Sequence, residues 1–256
     1  MWIGMNYILK MEKFKKLMSS SDVDFINKLK RSKFFDLMFD KPEVVLIVLC
    51  GSRITGVIDN HSDYDITVLT TNENLEPSDY RLGYNGKEVH WYYQNIYKFV
   101  SNDETKPTMF FLCPLLMGCL RSEYVIYTNP KYHEVLDYLL SVQTQLQEIG
   151  GRMLYKKCLS YITLPLKDNH IDKKYYTKFW GQLVLASYVL KKEKINKSLV
   201  LAAKRIKYKE MTDGVMNSVI ERVRILEQYV KTVFFDMEKN IKEINDNIKK
   251  LIVKQE

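Results

Sequence analysis

The strongest constraint on the fold lies at residues 44–70, which read VVLIVLCGSRITGVIDNHSDYDITVLT. Two short runs of apolar, largely β-branched residues predict buried strands over 44–50 and 63–70. Gly51 follows the first strand directly, and a glycine there allows the chain to turn sharply out of the strand. We therefore predict two core strands joined by a connection that begins at a tight turn.

Two carboxylates, Asp63 and Asp65, stand at the start of the second predicted strand. Side chains alternate between the faces of a strand, so these two point the same way and lie ~6.5–7 Å apart along the backbone. Two carboxylates on one face stay ionised at low cost only when a cation lies between them. Carboxylate oxygens suit Mg²⁺ or Mn²⁺, so we expect Asp63 and Asp65 to be metal ligands.

The residues after the first strand offer groups that bind an anion. Ser52 and Arg53 follow Gly51 and open a predicted short helix. Exposed N–H groups at the helix start, together with a hydroxyl and a guanidinium, are suited to a polyphosphate. Divalent metals beside bound phosphates are the arrangement that phosphoryl and nucleotidyl transfer require.

This combination, Gly-Ser, a short gap and Asp-x-Asp between two apolar strands, resembles the signature of the DNA polymerase β-like nucleotidyltransferase superfamily. More narrowly, GSR…SDYDI is similar to the form found in predicted bacterial and phage nucleotidyltransferases. The sharp motif covers residues 51–66, and a looser likeness extends over 44–130. The resemblance implies an α/β core with a mixed, twisted sheet that binds the β,γ-phosphates of a nucleoside triphosphate on Gly51, Ser52 and Arg53. The alternative is that the two carboxylates only cap backbone amides.

The resemblance also implies a third carboxylate on a neighbouring strand, which helps to hold one metal and deprotonates the attacking hydroxyl. The matching strand is predicted over 87–94, after the turn residues Asn85-Gly86. At the expected position this chain has His90, and Glu88 lies two residues earlier on the same face. A neutral imidazole serves as a ligand or a base near pH 7, so His90 and Glu88 are both candidate catalytic residues. The alternative is a half-buried strand histidine and a surface charge.

Basic residues are concentrated in the second part of the chain. Residues 1–150 carry 16 Lys and Arg against 19 Asp and Glu, a formal charge of −3, whereas residues 151–256 carry 23 against 12, a charge of +11. Aromatic residues such as Tyr155 and Trp180 are interleaved with the basic ones, a pattern that suits RNA or single strands. The alternative is a lysine-rich solvated face over a helical core. The basic clusters are Arg152-Lys156-Lys157, Lys173-Lys174-Lys178, Lys191-Lys192-Lys194-Lys197 and Lys204-Arg205-Lys207-Lys209.

Helical periodicity dominates after residue 130, so we predict a nucleotidyltransferase domain over 1–130 and a basic, all-helical domain over 131–256. The predicted helices in the second domain are 131–147, 150–164, 172–192, 196–207 and 213–254. The last of them carries a long apolar stripe. Beyond Asn240 that stripe either packs within the monomer or pairs with another chain as a short coiled coil.

Before residue 130 the pattern predicts further elements around the core strands. These are helices over 5–18 and 21–39, a polar loop over 71–85, a short helix over 95–100 and an edge strand over 124–127. The longest apolar stretch, 109–120, is too short to cross a bilayer and contains a proline. Four cysteines without metal-ligand spacing, and no secretory signal, indicate a cytoplasmic protein with free thiols.

Together these features predict a nucleotidyltransferase that uses two Mg²⁺ or Mn²⁺ ions, held by Asp63 and Asp65, to move a nucleoside monophosphate from a nucleoside triphosphate to a hydroxyl. RNA, and tRNA in particular, is the acceptor that the basic half favours. Three alternatives stay open at this point: transfer to a protein or small molecule, nucleotide or nucleic-acid binding without catalysis, and a metal-dependent nuclease or phosphohydrolase that uses the same acidic pair.

Overall fold

The computed structural model describes residues 20–39, 43–55, 62–72, 78–98, 100, 124–163, 173–204 and 213–255. The predicted helix over 5–18 and the apolar segment 109–120 lie outside these residues.

A five-stranded mixed sheet forms the core, with the strands in the order β3-β4-β2-β1-β5. Strands β2 and β4 are parallel, and the other neighbours are antiparallel. The predicted strands over 44–50, 63–70 and 87–94 are confirmed, as is an edge strand near 124–127. The strands are β1 (Val44–Cys50), β2 (Tyr64–Thr70), β3 (Ser78–Tyr84), β4 (Lys87–Asn95) and β5 (Val125–Thr128).

Strand β3 corrects the sequence-based prediction, which placed a loop over 71–85. Its residues, SDYRLGY, lack an apolar run because the strand lies at the sheet edge and several of its side chains are exposed. Tyr80 nevertheless stacks on Trp91 of β4, with ring centroids 5.4 Å apart. The β3–β4 turn is as predicted: Asn85 and Gly86 have φ values of 49° and 75°, the positive values that a type I′ hairpin turn needs.

Strands β1 and β2 are buried along their whole length, so both faces of the sheet are covered at these two strands. Helix α1 (Ser20–Lys30) lies over one face, where the Phe25 ring stacks on Tyr64 with centroids 3.9 Å apart. The predicted helix over 21–39 is wrong in one respect, because it is interrupted. The extended backbone of Ser32 separates α1 from the short helix α2 (Lys33–Asp36), and a 3₁₀ turn, Leu37–Phe39, follows.

Seven further helices lie in the described residues, and their boundaries differ from those predicted. The break expected at Gly150-Gly151 occurs at Val142 instead. Gly151 lies inside a helix because it faces Leu190, and a Cβ at this position would lie 2.6 Å from a Leu190 methyl carbon. The helices are α3 (Ser52–Thr55), α4 (His133–Ser141), α5 (Gln143–Thr163), α6 (Lys173–Leu190), α7 (Lys197–Lys204), α8 (Asp213–Thr232) and α9 (Met237–Val253).

The predicted helix over 213–254 is therefore two helices, α8 and α9. Arg152 binds the end of α8, donating to the carbonyl oxygens of Val230 and Val233. Asp236 starts the next helix, because its carboxylate accepts the Lys239 amide over 3.0 Å, as an N-cap residue does.

The chain forms two compact units. The described residues of Met1–Ser101, Gly118–Gln143 and Ile241–Glu256 belong to the sheet unit, and those of Asn102–Met117 and Thr144–Asn240 belong to the other. The units are thus interleaved along the chain, whereas the sequence predicted a single division after residue 130. No described helix has the length and apolarity needed to cross a membrane.

Helix α9 places its apolar stripe within the sheet unit. Its four isoleucines, Ile241, Ile244, Ile248 and Ile252, are buried. Asn245 donates to the Val100 carbonyl oxygen, and Asn247 donates to the Tyr138 hydroxyl. Packing within the monomer, one of the two predicted options, thus accounts for the stripe beyond Asn240.

Candidate active site

A single row of residues crosses the sheet and carries the candidate site. The strand pairings place Arg81 of β3 opposite His90 of β4, His90 opposite Asp65 of β2, and Asp65 opposite Cys50 of β1. Directly opposed residues on neighbouring strands project from the same face. His90 thus lies beside Asp65, at the place where the resemblance implies a third carboxylate.

Asp63, Asp65 and His90 form a group that fits a divalent cation. Each offers one ligand atom, and these atoms all lie within 4.8 Å of one another. Two ligands of Mg²⁺, each ~2.1 Å from the ion, are separated by at most about 4.2 Å, so the spacing of these atoms is close to that of a metal site. Carboxylate oxygens suit Mg²⁺ and Mn²⁺, whereas imidazole nitrogen is a ligand of transition metals rather than of Mg²⁺. The group contains both predicted metal ligands, Asp63 and Asp65.

Gly51 lies against the Asp65 carboxylate. Its φ of +74° is in the left-handed region, and a Cβ built there would lie 1.9 Å from Asp65 Oδ2. Position 51 therefore requires glycine for two reasons, its backbone conformation and the close approach of the carboxylate. The tight turn that ends β1 thus brings the Gly51 backbone next to Asp65.

His90 is held through both ring nitrogens. Arg81 Nε donates to His90 Nε2 over 3.2 Å, so Nε2 accepts a hydrogen bond and carries no proton. His90 Nδ1 is hydrogen-bonded to the Tyr92 hydroxyl and lies 3.8 Å from Asp65 Oδ1. A neutral imidazole with an unprotonated Nε2 carries its proton on Nδ1. His90 Nδ1, which faces Asp65, can therefore bind a metal only if the ring proton moves to Nε2, and this shift would break the hydrogen bond from Arg81.

Tyr92 stays a hydroxyl donor or acceptor rather than a phenolate. Burial raises the pKa of Tyr92 far above its ordinary value, and the negative charge of Asp65 raises it further. Its ring lies beside the imidazole, with centroids 4.2 Å apart. Tyr92 thus fixes the orientation of His90 without adding charge to the site.

The Arg53 side chain makes buried contacts with neighbouring elements of the fold. Its guanidinium is 6% exposed and pairs with Asp22 of α1 at 2.5 Å. It also donates to the carbonyl oxygens of Ser62 and Asp63, the latter over 2.9 Å, and lies 3.7 Å from the Tyr64 ring centroid. These contacts fix the backbone that leads into β2. They support a positioning role for Arg53 beside Asp63, and its contact with a phosphate stays a prediction.

Tyr64 and Asp22 complete this buried network. The Tyr64 hydroxyl donates to Asp22 Oδ1 over 2.8 Å. Burial raises the pKa of Tyr64 far above its ordinary value, and the hydrogen bond to Asp22 adds to the shift. Sequence reasoning missed the roles of Asp22 and Tyr64, because each depends on a partner that the fold brings from another element. The available signal was the position of Asp22, which lies three residues before Phe25 and so on the same, buried side of α1.

Glu88 lies on the same face of β4 as His90 but is open to solvent. Its carboxylate is 3.8 Å from Arg81 Nη1, and the two side chains are 52% and 59% exposed. The ladder between β2 and β4 begins at the pair Tyr64–Val89, so Asp63 and Glu88 flank each other just before it. Arg81 itself was missed by sequence reasoning, because β3 was predicted to be a loop.

No protein-family model and no curated protein matches this chain. Among solved structures, it is similar to a nucleotidyltransferase-like protein from Exiguobacterium sibiricum 255-15. The two sequences are 14% identical, the match covers 89% of this chain and 74% of that chain, and the TM-score is 0.30. A likeness at this TM-score carries no weight for fold or function, so the function proposed below rests on the geometry of the site.

Proposed function

We propose that this chain is a metal-dependent nucleotidyltransferase, which moves a nucleoside monophosphate from a nucleoside triphosphate to a hydroxyl acceptor. One observation supports it above all: Asp63, Asp65 and His90 converge within 4.8 Å, and the Gly51 turn lies directly against Asp65. A cation site beside a tight Gly-Ser turn is what binding of a metal-complexed triphosphate requires.

In this proposal Asp63 and Asp65 hold the metal, and the backbone at Gly51 and Ser52 faces the β,γ-phosphates. A bound Mg²⁺ or Mn²⁺ supplies charge stabilisation for the entering and leaving oxygens. The acceptor oxygen forms a bond to the α-phosphorus, the bond to the bridging oxygen of the β-phosphate breaks, and pyrophosphate leaves. The proton of the acceptor hydroxyl passes to a base on the protein.

Glu88 is the better supported of the two candidate bases. His90 Nε2 already accepts the Arg81 hydrogen bond, and His90 Nδ1 carries the proton of the neutral ring. Glu88 is on the same face, next to Asp63 and accessible to an acceptor from solvent. We assign Glu88 the role of accepting the proton, and His90 the role of orienting the metal site.

RNA, with tRNA foremost, is the proposed acceptor because of the charge of the helical unit. Lys191, Lys192 and Lys194 are exposed between α6 and α7, and Lys197 is exposed at the start of α7. The aromatic part of the predicted pattern is weaker, because Tyr155 is buried in the core. Phosphate contacts give a steep dependence on ionic strength, so RNA binding that weakens sharply between 50 and 200 mM salt (roughly ten-fold or more) is the expected behaviour.

The direct test uses purified protein with Mn²⁺ or Mg²⁺, each α-³²P-labelled nucleoside triphosphate, and total cellular RNA. We expect label on RNA with the wild type, and loss of at least ~10²-fold in Asp63→Asn and Asp65→Asn. Asp24→Asn is the matched control, since Asp24 is an exposed carboxylate on α1. Full activity in Asp65→Asn would show that this site is not catalytic.

The same assay separates the alternatives. Label on the protein itself, or on a small molecule, would replace RNA as the acceptor while keeping the chemistry. Nucleotide binding without transfer would favour a non-catalytic protein, an alternative motivated by His90 at the position of the third carboxylate. Release of mononucleotides from RNA would indicate a nuclease.

A further inference from the structure

A positively charged side chain, Arg81, lies beside His90, the residue at the position where the resemblance implies a third acid. Arg81 lies opposite His90 in the β3–β4 pairing, and the same row continues to Asp65. The guanidinium contacts the imidazole directly, over 3.2 Å from Nε to Nε2. This corner of the site thus carries a neutral ring and a cation, whereas an aspartate would add a negative charge.

The guanidinium of Arg81 keeps donors for a ligand from solvent. The side chain is 59% exposed, and its contact with the 52% exposed Glu88 is long, at 3.8 Å. Exposed pairs of this kind contribute little, so a stronger anion displaces them readily. A guanidinium presents two parallel N–H donors that match phosphate oxygens. Arg53 lacks this freedom, because its guanidinium is buried with Asp22.

We propose that Arg81 binds the phosphates of the nucleotide, and that the site holds one divalent cation with the Arg81 guanidinium in place of a second. This inference rests on the proposed function, because it names the residue that receives the triphosphate there. Asp63 and Asp65 hold the single cation, with His90 beside them.

The charge of Arg81 acts in opposite directions on the two ligands. It repels a cation bound at Asp63 and Asp65, and it attracts a polyphosphate. Replacing it by a neutral side chain should therefore strengthen metal binding and weaken phosphate binding. A residue that only supports the fold would weaken both when substituted.

The experiment measures two affinities on the full chain: Mn²⁺ by electron paramagnetic resonance of the free ion, and inorganic tripolyphosphate by calorimetry without metal. We expect one Mn²⁺ per wild-type chain. In Arg81→Gln the Mn²⁺ dissociation constant should fall roughly three- to ten-fold, and that for tripolyphosphate should rise about ten-fold or more. Arg81→Lys should leave Mn²⁺ affinity unchanged and lose only part of the tripolyphosphate affinity.

Lys87→Gln is the matched control, because Lys87 is an exposed cation of β4 that points to the opposite face from Glu88 and His90. It should change neither affinity by more than about two-fold. Circular dichroism establishes that each variant is folded, and Arg81→Ala serves as a second neutral variant.

Several results would overturn the inference. Two Mn²⁺ ions per wild-type chain, or weaker binding of both ligands in Arg81→Gln and Arg81→Ala, would do so. Unchanged tripolyphosphate affinity in these variants, beside one Mn²⁺ in the wild type, would overturn the role of Arg81 and leave the proposed function standing. A wild type that binds no Mn²⁺ at millimolar concentration would overturn both.

Discussion

Asp65 and His90 lie directly opposite each other on the parallel strands β2 and β4, with Asp65 Oδ1 3.8 Å from His90 Nδ1. Both side chains are almost fully buried, at 5% and 1% exposure. This pair places a buried carboxylate beside a neutral imidazole, where the resemblance implies two carboxylates.

The first prediction concerns the choice of metal. Wild-type protein should bind Mn²⁺ more tightly than Mg²⁺, because imidazole is a poor ligand for Mg²⁺. His90→Asp should raise Mg²⁺ affinity by about ten-fold, as measured by calorimetry. His133→Asp is the control, since His133 is exposed at the start of α4. Equal Mg²⁺ affinity in His90→Asp and the wild type would show that His90 is not part of the metal site.

The second prediction concerns Gly51. Gly51→Ala should lower the free energy of unfolding by about 2–4 kcal/mol, from positive φ and from the overlap with Asp65, and should abolish Mn²⁺ binding. Gly86→Ala is a close control, because Gly86 has a φ of +75° and a Cβ there would have no atom within 4 Å. Urea unfolding gives both free energies. Equal losses of stability in the two variants would contradict the close approach of Asp65.

The third prediction distinguishes two roles of Arg53, one in positioning Asp63 and the other in binding phosphate. Arg53→Met removes the cation that pairs with the buried Asp22 carboxylate, so the free energy of unfolding should fall by roughly 3–5 kcal/mol. Asp22→Asn and Arg53→Lys should both weaken Mn²⁺ binding, since both loosen the backbone before Asp63. Lys231→Met, in the exposed pair with Glu227, should change nothing measurable. If Arg53→Lys keeps its stability and Mn²⁺ affinity but loses tripolyphosphate binding, Arg53 is a phosphate ligand after all.

The fourth prediction concerns helix α9. Ile248 is fully buried, so Ile248→Ala should lower the free energy of unfolding by about 2–4 kcal/mol. Val253→Ala, at a side chain that is 57% exposed, should change it by about 0.5 kcal/mol or less. Because the stripe packs within the chain, the unfolding midpoint should not depend on protein concentration. A midpoint that rises with concentration would indicate pairing between chains.

The core strands could be predicted because buried strands consist mostly of apolar residues, and this composition is visible in the sequence. Strands β1 and β2 are apolar along their length, since both faces of the central sheet are covered. The edge strand β3 could not be predicted, because it has no run of apolar residues. It is held in the sheet by its pairing with β4. The break between α8 and α9 likewise depends on a distant contact, from Arg152 to Val233.

The sequence predicted which residues contribute carboxylates and the imidazole to the candidate site, but it did not predict what the arginines contact. Asp63, Asp65 and His90 follow from spacing and strand alternation, which are local properties. The roles of Arg53 and Arg81 depend on partners that the fold supplies. Asp22, on another element, takes the Arg53 guanidinium, and the hairpin register brings Arg81 to His90. A sequence pattern records that an arginine is present and not what it contacts.

The most direct measurement of the central claim compares one nucleoside triphosphate labelled at the α-phosphorus with the same compound labelled at the γ-phosphorus. Both are incubated with the wild-type protein, Mn²⁺ and RNA. Nucleotidyl transfer places the α label on the acceptor and releases the γ label as pyrophosphate, and this is the predicted result. Transfer of the γ label to an acceptor, or its release as inorganic phosphate, would contradict the proposed chemistry.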